Sequence, residues 1–336
     1  MDLVARTVDA LIADRAVPSA SVAVVVDGRT ELVHTAGLAR LDPPRPAILD
    51  QPYDLASLTK VIAAGTVTAA LVDRGALALD APACRYADGV DPRITVRMLV
   101  DHRAGYPAWA PLHRENVGRD AIVDAAIRTP LAAAPGTTHA YSDLGYLVLL
   151  RILERVGQDR LDVQLARWVP AIRWGWPEAA ATEVDPERGT IEGVVHDPIA
   201  FAMGASGLAS SAMGSAGSGA VSSHAGAFGT ARAVAAFGWD ALTGGVPRLP
   251  WVGPGPHRGG WDQAVRGGAT GAWWPADGVG HLGFTGTSVW IAPRDRVVVA
   301  ALTNRLHPRD DRTRIREVRA AIADAVAQTL GWDARG

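Results

Sequence analysis

Two hairpins at opposite ends of the chain constrain its fold more than anything between them. Near the start, Ser21-Val22-Ala23-Val24-Val25-Val26 and Glu31-Leu32-Val33-His34 flank Asp27-Gly28. Asp-Gly between two such runs supplies the positive backbone angles of a tight hairpin turn. Near the end, residues 287–292 and 297–302 are apolar runs on either side of Pro293-Arg294-Asp295-Arg296. Each hairpin borders a segment of helical period. Leu3, Val4, Val8, Leu11 and Ile12 precede the first, and Ile315, Val318, Ile322, Val326 and Leu330 follow the second. A lone hairpin is marginal in water. The two therefore join into one antiparallel sheet flanked by the terminal helices, an α+β arrangement.

Between the ends the periodicity changes. Residues 57–74 read as a buried helix stopped near Gly75, and 94–103, 119–128 and 143–156 as further helical stretches. The expected layout is a single domain over residues 1–336. Its α/β part covers about 1–56 and 255–336, and an inserted, mainly helical part covers about 57–254. Pockets commonly form where such layers meet. Residues 203–229, rich in Gly, Ala and Ser, read either as a loop without function or as a loop bordering the site. Trp251, Trp261, Trp273 and Trp274 lie in a loop-rich stretch, where they either line a pocket or pack the core.

Composition excludes several function classes. The chain is 48% apolar and 20% charged with a net charge of −2, and no basic block stands out, so nucleic acid and anionic membranes are not expected partners. The single cysteine, Cys84, forms no intrachain disulfide and founds no cysteine metal cluster. No H-E-x-x-H or similar cluster points to zinc, and no cofactor is implied. No run of 18 apolar residues spans a membrane, and the first residues read as an amphipathic helix rather than an export signal. A cytoplasmic location is expected, with a trimmed export signal left open.

Three segments carry chemistry. Lys60 is the one lysine among 33 basic residues, and it follows Ser57 in Asp54-Leu55-Ala56-Ser57-Leu58-Thr59-Lys60. Arginine keeps its proton at any useful pH, whereas a buried lysine can lose one, and i and i+3 share one face of a helix. A solvated lysine is the plain alternative. The second segment is Tyr141-Ser142-Asp143, ahead of an apolar helix; a phenol there can shuttle a proton if a nearby cation lowers its pKa. Asp143 could equally be the N-cap of that helix. The third is Gly280-His281-Leu282-Gly283-Phe284-Thr285-Gly286-Thr287. Its glycines would let a substrate approach the backbone, and His281 could donate to a substrate carbonyl or carboxylate. His102, His196 and His224 read as structural or loop-fixing.

In this order the three segments resemble the serine β-lactamase and penicillin-binding-protein superfamily, most closely its class C-like group of esterases and D-Ala-D-Ala peptidases. Residues 96–107, Val195-His196-Asp197-Pro198, Ser223-His224-Ala225-Gly226 and residues 303–308 extend the likeness over nearly the whole chain. The resemblance implies a β-lactamase/transpeptidase-like fold with Ser57, Lys60 and Tyr141 as catalytic residues. Ser57 would attack an acyl carbonyl, Lys60 would accept its proton and Tyr141 would relay it. Asp143, His281, Gly283 and Phe284 would bind substrate. The N–H groups of Ser57 and Phe284 would form the oxyanion hole, and Asp143 would hold Lys60 or a substrate amide. Two departures from the family pattern matter. Asp143 stands where the family usually has Asn, which favours a protonated Lys60, and His281 stands where β-lactamases have Lys. Both point away from penicillins and towards neutral esters. The expected function is a serine hydrolase acting on small carboxylic esters. The alternatives are an acyltransferase, a D-amino-acid peptidase or amidase, a weak β-lactamase, and a non-catalytic binding protein. The partner is a small acyl substrate; the oligomeric state is not legible.

Overall fold

A computed structural model of the chain describes residues 1–185, 189–191, 197–203, 221–307 and 312–333. The two hairpins meet as expected. Strands β1 (Ser19–Val26) and β2 (Arg29–Leu41) are joined by Asp27 and Gly28, whose φ angles of 48° and 81° are those the turn demands. Six more strands complete the sheet: β3 (Pro44–Pro46), β4 (His257–Arg258), β5 (Trp261–Gln263), β6 (Val279–Leu282), β7 (Ser288–Ala292) and β8 (Val297–Thr303). Their order is β3-β2-β1-β8-β7-β6-β5-β4. The N-terminal β1 lies antiparallel to the C-terminal β8, with Val22 opposite Ala301 and Val24 opposite Val299. The arginine at the end of the second turn ties the hairpins together: Arg296 Nε donates to Asp27 Oδ1 at 2.6 Å.

Successive side chains of a strand face opposite layers, so a strand covered on both faces reads as one apolar run. Val22, Val24 and Val299 face helices α1 (Asp2–Ala13) and the C-terminal helix Arg312–Thr329, among Val4, Val8, Val318 and Ile322. Ala23, Val25, Val298 and Ala300 face the larger core. The inserted region supplies Thr66–Asp73, Val96–Val100, Arg119–Arg128 and Asp143–Gly157. One helix from the part read as inserted, Ala231–Thr243, instead lies on the sheet against β1, β7 and β8. Gly238 permits that approach: a Cβ there would come within 2.6 Å of Val298 Cγ1. Of the tryptophans, Trp261 stacks on Phe237 in the larger core and Trp274 packs edge-on against Trp332. Among the described residues no helix is long and apolar enough to cross a membrane.

Candidate active site

Ser57 sits where a short strand turns into a helix. Tyr53–Asp54 pairs with Ala227–Gly229, and the chain then reverses at Ala56, whose φ is +45°. A left-handed residue with a Cβ costs roughly 1–2 kcal/mol. Asp54 holds the turn by accepting the Ala56 N–H at 2.8 Å. The helix that follows opens with a π-helical segment, Lys60–Gly65, a widening common at functional sites.

Lys60 is fully buried, and its ammonium donates to three acceptors: Ser57 Oγ at 3.1 Å, Asp143 Oδ1 at 2.7 Å and the His224 carbonyl at 2.9 Å. Burial works against its charge, but Asp143 and Tyr141 outweigh burial and raise its pKa above the ordinary lysine value. The plain reading of a solvated lysine is thereby excluded. Nζ lies 4.9 Å from the centre of the Tyr141 ring. Burial raises the Tyr141 pKa and Asp143 adds to the rise, while Lys60 and a hydrogen bond with Ser57 pull it back.

The N-cap of the helix Asp143–Gly157 is Ser142, not Asp143: its Oγ accepts the Gly145 N–H at 3.1 Å. Asp143 is therefore the first helical residue, and its carboxylate turns to Lys60. His102 fixes this segment by accepting the Ser142 N–H on Nδ1 at 3.0 Å. His224 is held by Ser222 and by Asp197, the latter 2.9 Å from Nε2. His196 lies outside the described residues, as does most of the Gly/Ala/Ser-rich stretch.

Two cavities meet at Ser57, Tyr141 and Phe284. One, of about 420 Å³, is lined by Trp109, Asp143, Asp197 and His224. The other, of about 440 Å³, is lined by His257, His281, Gly283, Arg305, Arg316 and Arg319. Trp109 and Phe284 are 44% and 41% exposed, so they present apolar surface at the mouth. Sequence reasoning gave no site role to Trp109, Asp197, His257 or the His224 carbonyl; a backbone acceptor leaves no trace in the sequence.

His281 behaves differently from the donor expected of it. Its Nδ1 lies 2.9 Å from the Leu282 carbonyl and must carry the proton of a neutral ring. Burial, His257 and Lys60 keep its pKa well below the ordinary value, so Nε2 is a bare acceptor. Gly283 also has an internal reason to be glycine. A Cβ there would meet Thr287 Oγ1 at 2.0 Å and the Leu55 carbonyl at 2.7 Å, so the space it leaves is filled by the protein. Arg319, whose pKa burial lowers to about 9, donates to the Gly283 and Thr287 carbonyls and holds this segment in place. Among the described residues no cluster is arranged to hold a metal ion.

The family model described as Beta-lactamase matches residues 4–324. A Salmonella paratyphi A protein bearing the name of a D-alanyl-D-alanine carboxypeptidase is 27% identical over 350 residues, covering 88% of this chain and 80% of its own length. Among solved structures, a D-amino acid amidase from Ochrobactrum anthropi SV3 superposes with a TM-score of 0.74 at 18% identity, covering 98% of this chain and 99% of the amidase. A hydrolase with promiscuous acyltransferase activity gives a TM-score of 0.70 at 20% identity, covering 96% and 98%. A class C beta-lactamase gives 0.71 at 14% identity, covering 96% and 95%.

Proposed function

The chain belongs to the beta-lactamase family and is a serine hydrolase of that fold; we propose that it cleaves small carboxylic esters through an acyl-enzyme on Ser57. The observation that carries this reading is the Lys60 ammonium, held by Ser57, Asp143 and the His224 carbonyl. Lys60 and Tyr141 each shift the other: Tyr141 favours the ammonium and Lys60 favours the phenolate. When one proton leaves the pair, Asp143 at 2.7 Å keeps the remaining one on Lys60. Tyr141 is then the phenolate. This assigns proton acceptance to Tyr141 and a charge-stabilising role to Lys60, which refines the general-base role that the resemblance implied.

In the first half-reaction Ser57 Oγ bonds to the acyl carbon as its proton passes to Tyr141. The bond to the leaving oxygen breaks, and Tyr141 returns the proton to an alkoxide. Water then repeats the sequence on the acyl-enzyme, releasing the acid and restoring Ser57. The N–H groups of Ser57 and Phe284 are proposed to stabilise the tetrahedral oxyanion.

Esters ask less of this relay than amides, because an alkoxide can depart as its proton arrives whereas an amide nitrogen must be protonated before its bond to carbon breaks. The carboxylates of Asp143 and Asp197 disfavour an anionic acyl group, while Trp109 and Phe284 favour an apolar one. A second reading, a D-amino-acid peptidase or amidase, is favoured by Arg305, Arg316 and Arg319 in the other cavity, which suit a leaving half bearing a carboxylate. Transfer of the acyl group to an amine or alcohol would use the same residues. A small-molecule substrate and a cytoplasmic setting belong to the same proposal. The test is kcat/KM for a phenyl ester, a D-alanyl-D-alanine peptide and a penicillin on one enzyme preparation. The ester should exceed the other two by orders of magnitude; a faster peptide would replace the esterase reading with the peptidase one.

A further inference from the structure

Four histidines from four separate segments form one cluster behind Tyr141. The His102 ring lies 4.3 Å from the Tyr141 ring and 4.9 Å from His257. His257 lies 5.4 Å from Tyr141, 6.0 Å from His281 and 5.0 Å from His139, on which it stacks. His139 Nε2 and His257 Nδ1 are 2.9 Å apart, so one donates to the other. The first three rings are largely buried, while His139 is half-exposed.

The hydrogen bonds fix where protons sit. His102 accepts the Ser142 N–H on Nδ1, so in a neutral ring its proton is on Nε2; His281 donates from Nδ1, so its Nε2 is bare. Both Nε2 atoms are buried without a protein partner. One is a donor and the other an acceptor. Lys60, Tyr141, Tyr146, Arg103, Asp262 and Arg319 face the cluster from the surrounding elements. Burial lowers the pKa of all four rings, helped at His102, His257 and His281 by the neighbouring rings and Lys60 and at His139 by Arg103, so all are neutral near pH 7, His257 being lowered to about 4. A neutral imidazole can take a proton at one nitrogen while releasing one at the other, so a charge need not rest on any ring.

We propose that this cluster is a proton outlet connecting Tyr141 to solvent through His257 and His139. It rests on the proposed roles of Ser57 and Tyr141 and extends them to a substrate class: esters and thioesters whose leaving group departs as a stable anion. The proton balance gives the reason. An alkoxide takes the Ser57 proton from Tyr141, so the base is restored inside the site. A nitrophenolate or a thiolate leaves without that proton. Tyr141 then stays protonated and must discharge before it can activate water. The approach of His257 to Tyr141 and its hydrogen bond with the partly exposed His139 give that proton a route to the surface. His257 and His139 are relay residues acting through Tyr141.

The test compares p-nitrophenyl and ethyl esters of one short acid on the full chain, with His257→Phe and His139→Phe. Intact-mass spectrometry follows the acyl-enzyme, and stopped-flow kinetics separate burst from turnover. The expected result is a preserved burst and a slower turnover of the nitrophenyl ester, by about 100-fold as for a lost proton-transfer partner. Acyl-Ser57 should accumulate, His139→Phe, which lines neither cavity at Ser57, should leave ethyl-ester turnover unchanged, and added imidazole should restore the lost rate. His139→Phe, at a half-exposed site, serves where His257→Phe does not fold. Unchanged nitrophenyl turnover, an equal loss on both esters in His139→Phe, or no rescue by imidazole overturns the outlet while leaving the serine-hydrolase reading intact. A wild-type enzyme that never acylates overturns both.

Discussion

Replacing Asp143 with Asn removes the countercharge from a fully buried ammonium while nearly preserving shape. Nζ and Oδ1 are 2.7 Å apart, with Lys60 at 0% and Asp143 at 20% side-chain exposure. At an effective dielectric near 20, unit charges 4 Å apart attract by about 4 kcal/mol. Removing one partner of a buried pair costs about 3–5 kcal/mol. Asn still offers an oxygen to Nζ, and Asp143 is partly wet, so the expected loss is at the lower end, about 3 kcal/mol. The pH dependence has a definite sign. The folded-state pKa of Lys60 lies above its unfolded value of about 10.4, so its contribution is fully present below that pH and is lost as pH rises through the folded value. The gap between wild type and Asp143→Asn should therefore be constant between about pH 6 and 9 and narrow above about 10.4. Urea unfolding at a series of pH values measures it. A loss below about 1 kcal/mol at pH 7, or a gap that widens at high pH, would refute the claim that Asp143 sets the Lys60 charge.

Other outcomes follow from the same geometry. Tyr141→Phe removes only the hydroxyl and should lower kcat/KM for esters by about 10²–10⁴, read by steady-state kinetics beside unchanged folding. For the wild type, kcat/KM should rise with pH across the neutral range, because the active form has lost a proton from a Tyr141 whose pKa lies above the ordinary value of 10.0; a rate falling from pH 7 to 9 would contradict this. Gly283→Ala should destabilise by about 1–3 kcal/mol, since the added methyl strikes Thr287 and a backbone carbonyl; thermal unfolding reads it.

The two hairpins were legible because turn chemistry is local: Asp27-Gly28 announces its own backbone angles. That Lys60 lies beside Ser57 was legible because an otherwise lysine-free chain makes one lysine conspicuous, whereas Tyr141 came into view only as the second of three segments in order. The packing of Ala231–Thr243 on the sheet was not, since an amphipathic helix does not state which layer it covers. Nor was the N-cap: Ser142 and Asp143 are both good caps, and only the pull of Lys60 decides between them. The histidine cluster has no periodicity at all. Its members are brought together by topology, with His257 and His281 on the far strands of the sheet and His102 and His139 on loops of the inserted region.

The most direct test of the central claim is intact-protein mass spectrometry after exposure to a fluorophosphonate and to a p-nitrophenyl ester, with Ser57→Ala alongside. One covalent adduct on wild type, absent from Ser57→Ala, is the predicted result for both reagents. An adduct that persists in Ser57→Ala, or none on wild type with either reagent, would contradict Ser57 as the nucleophile.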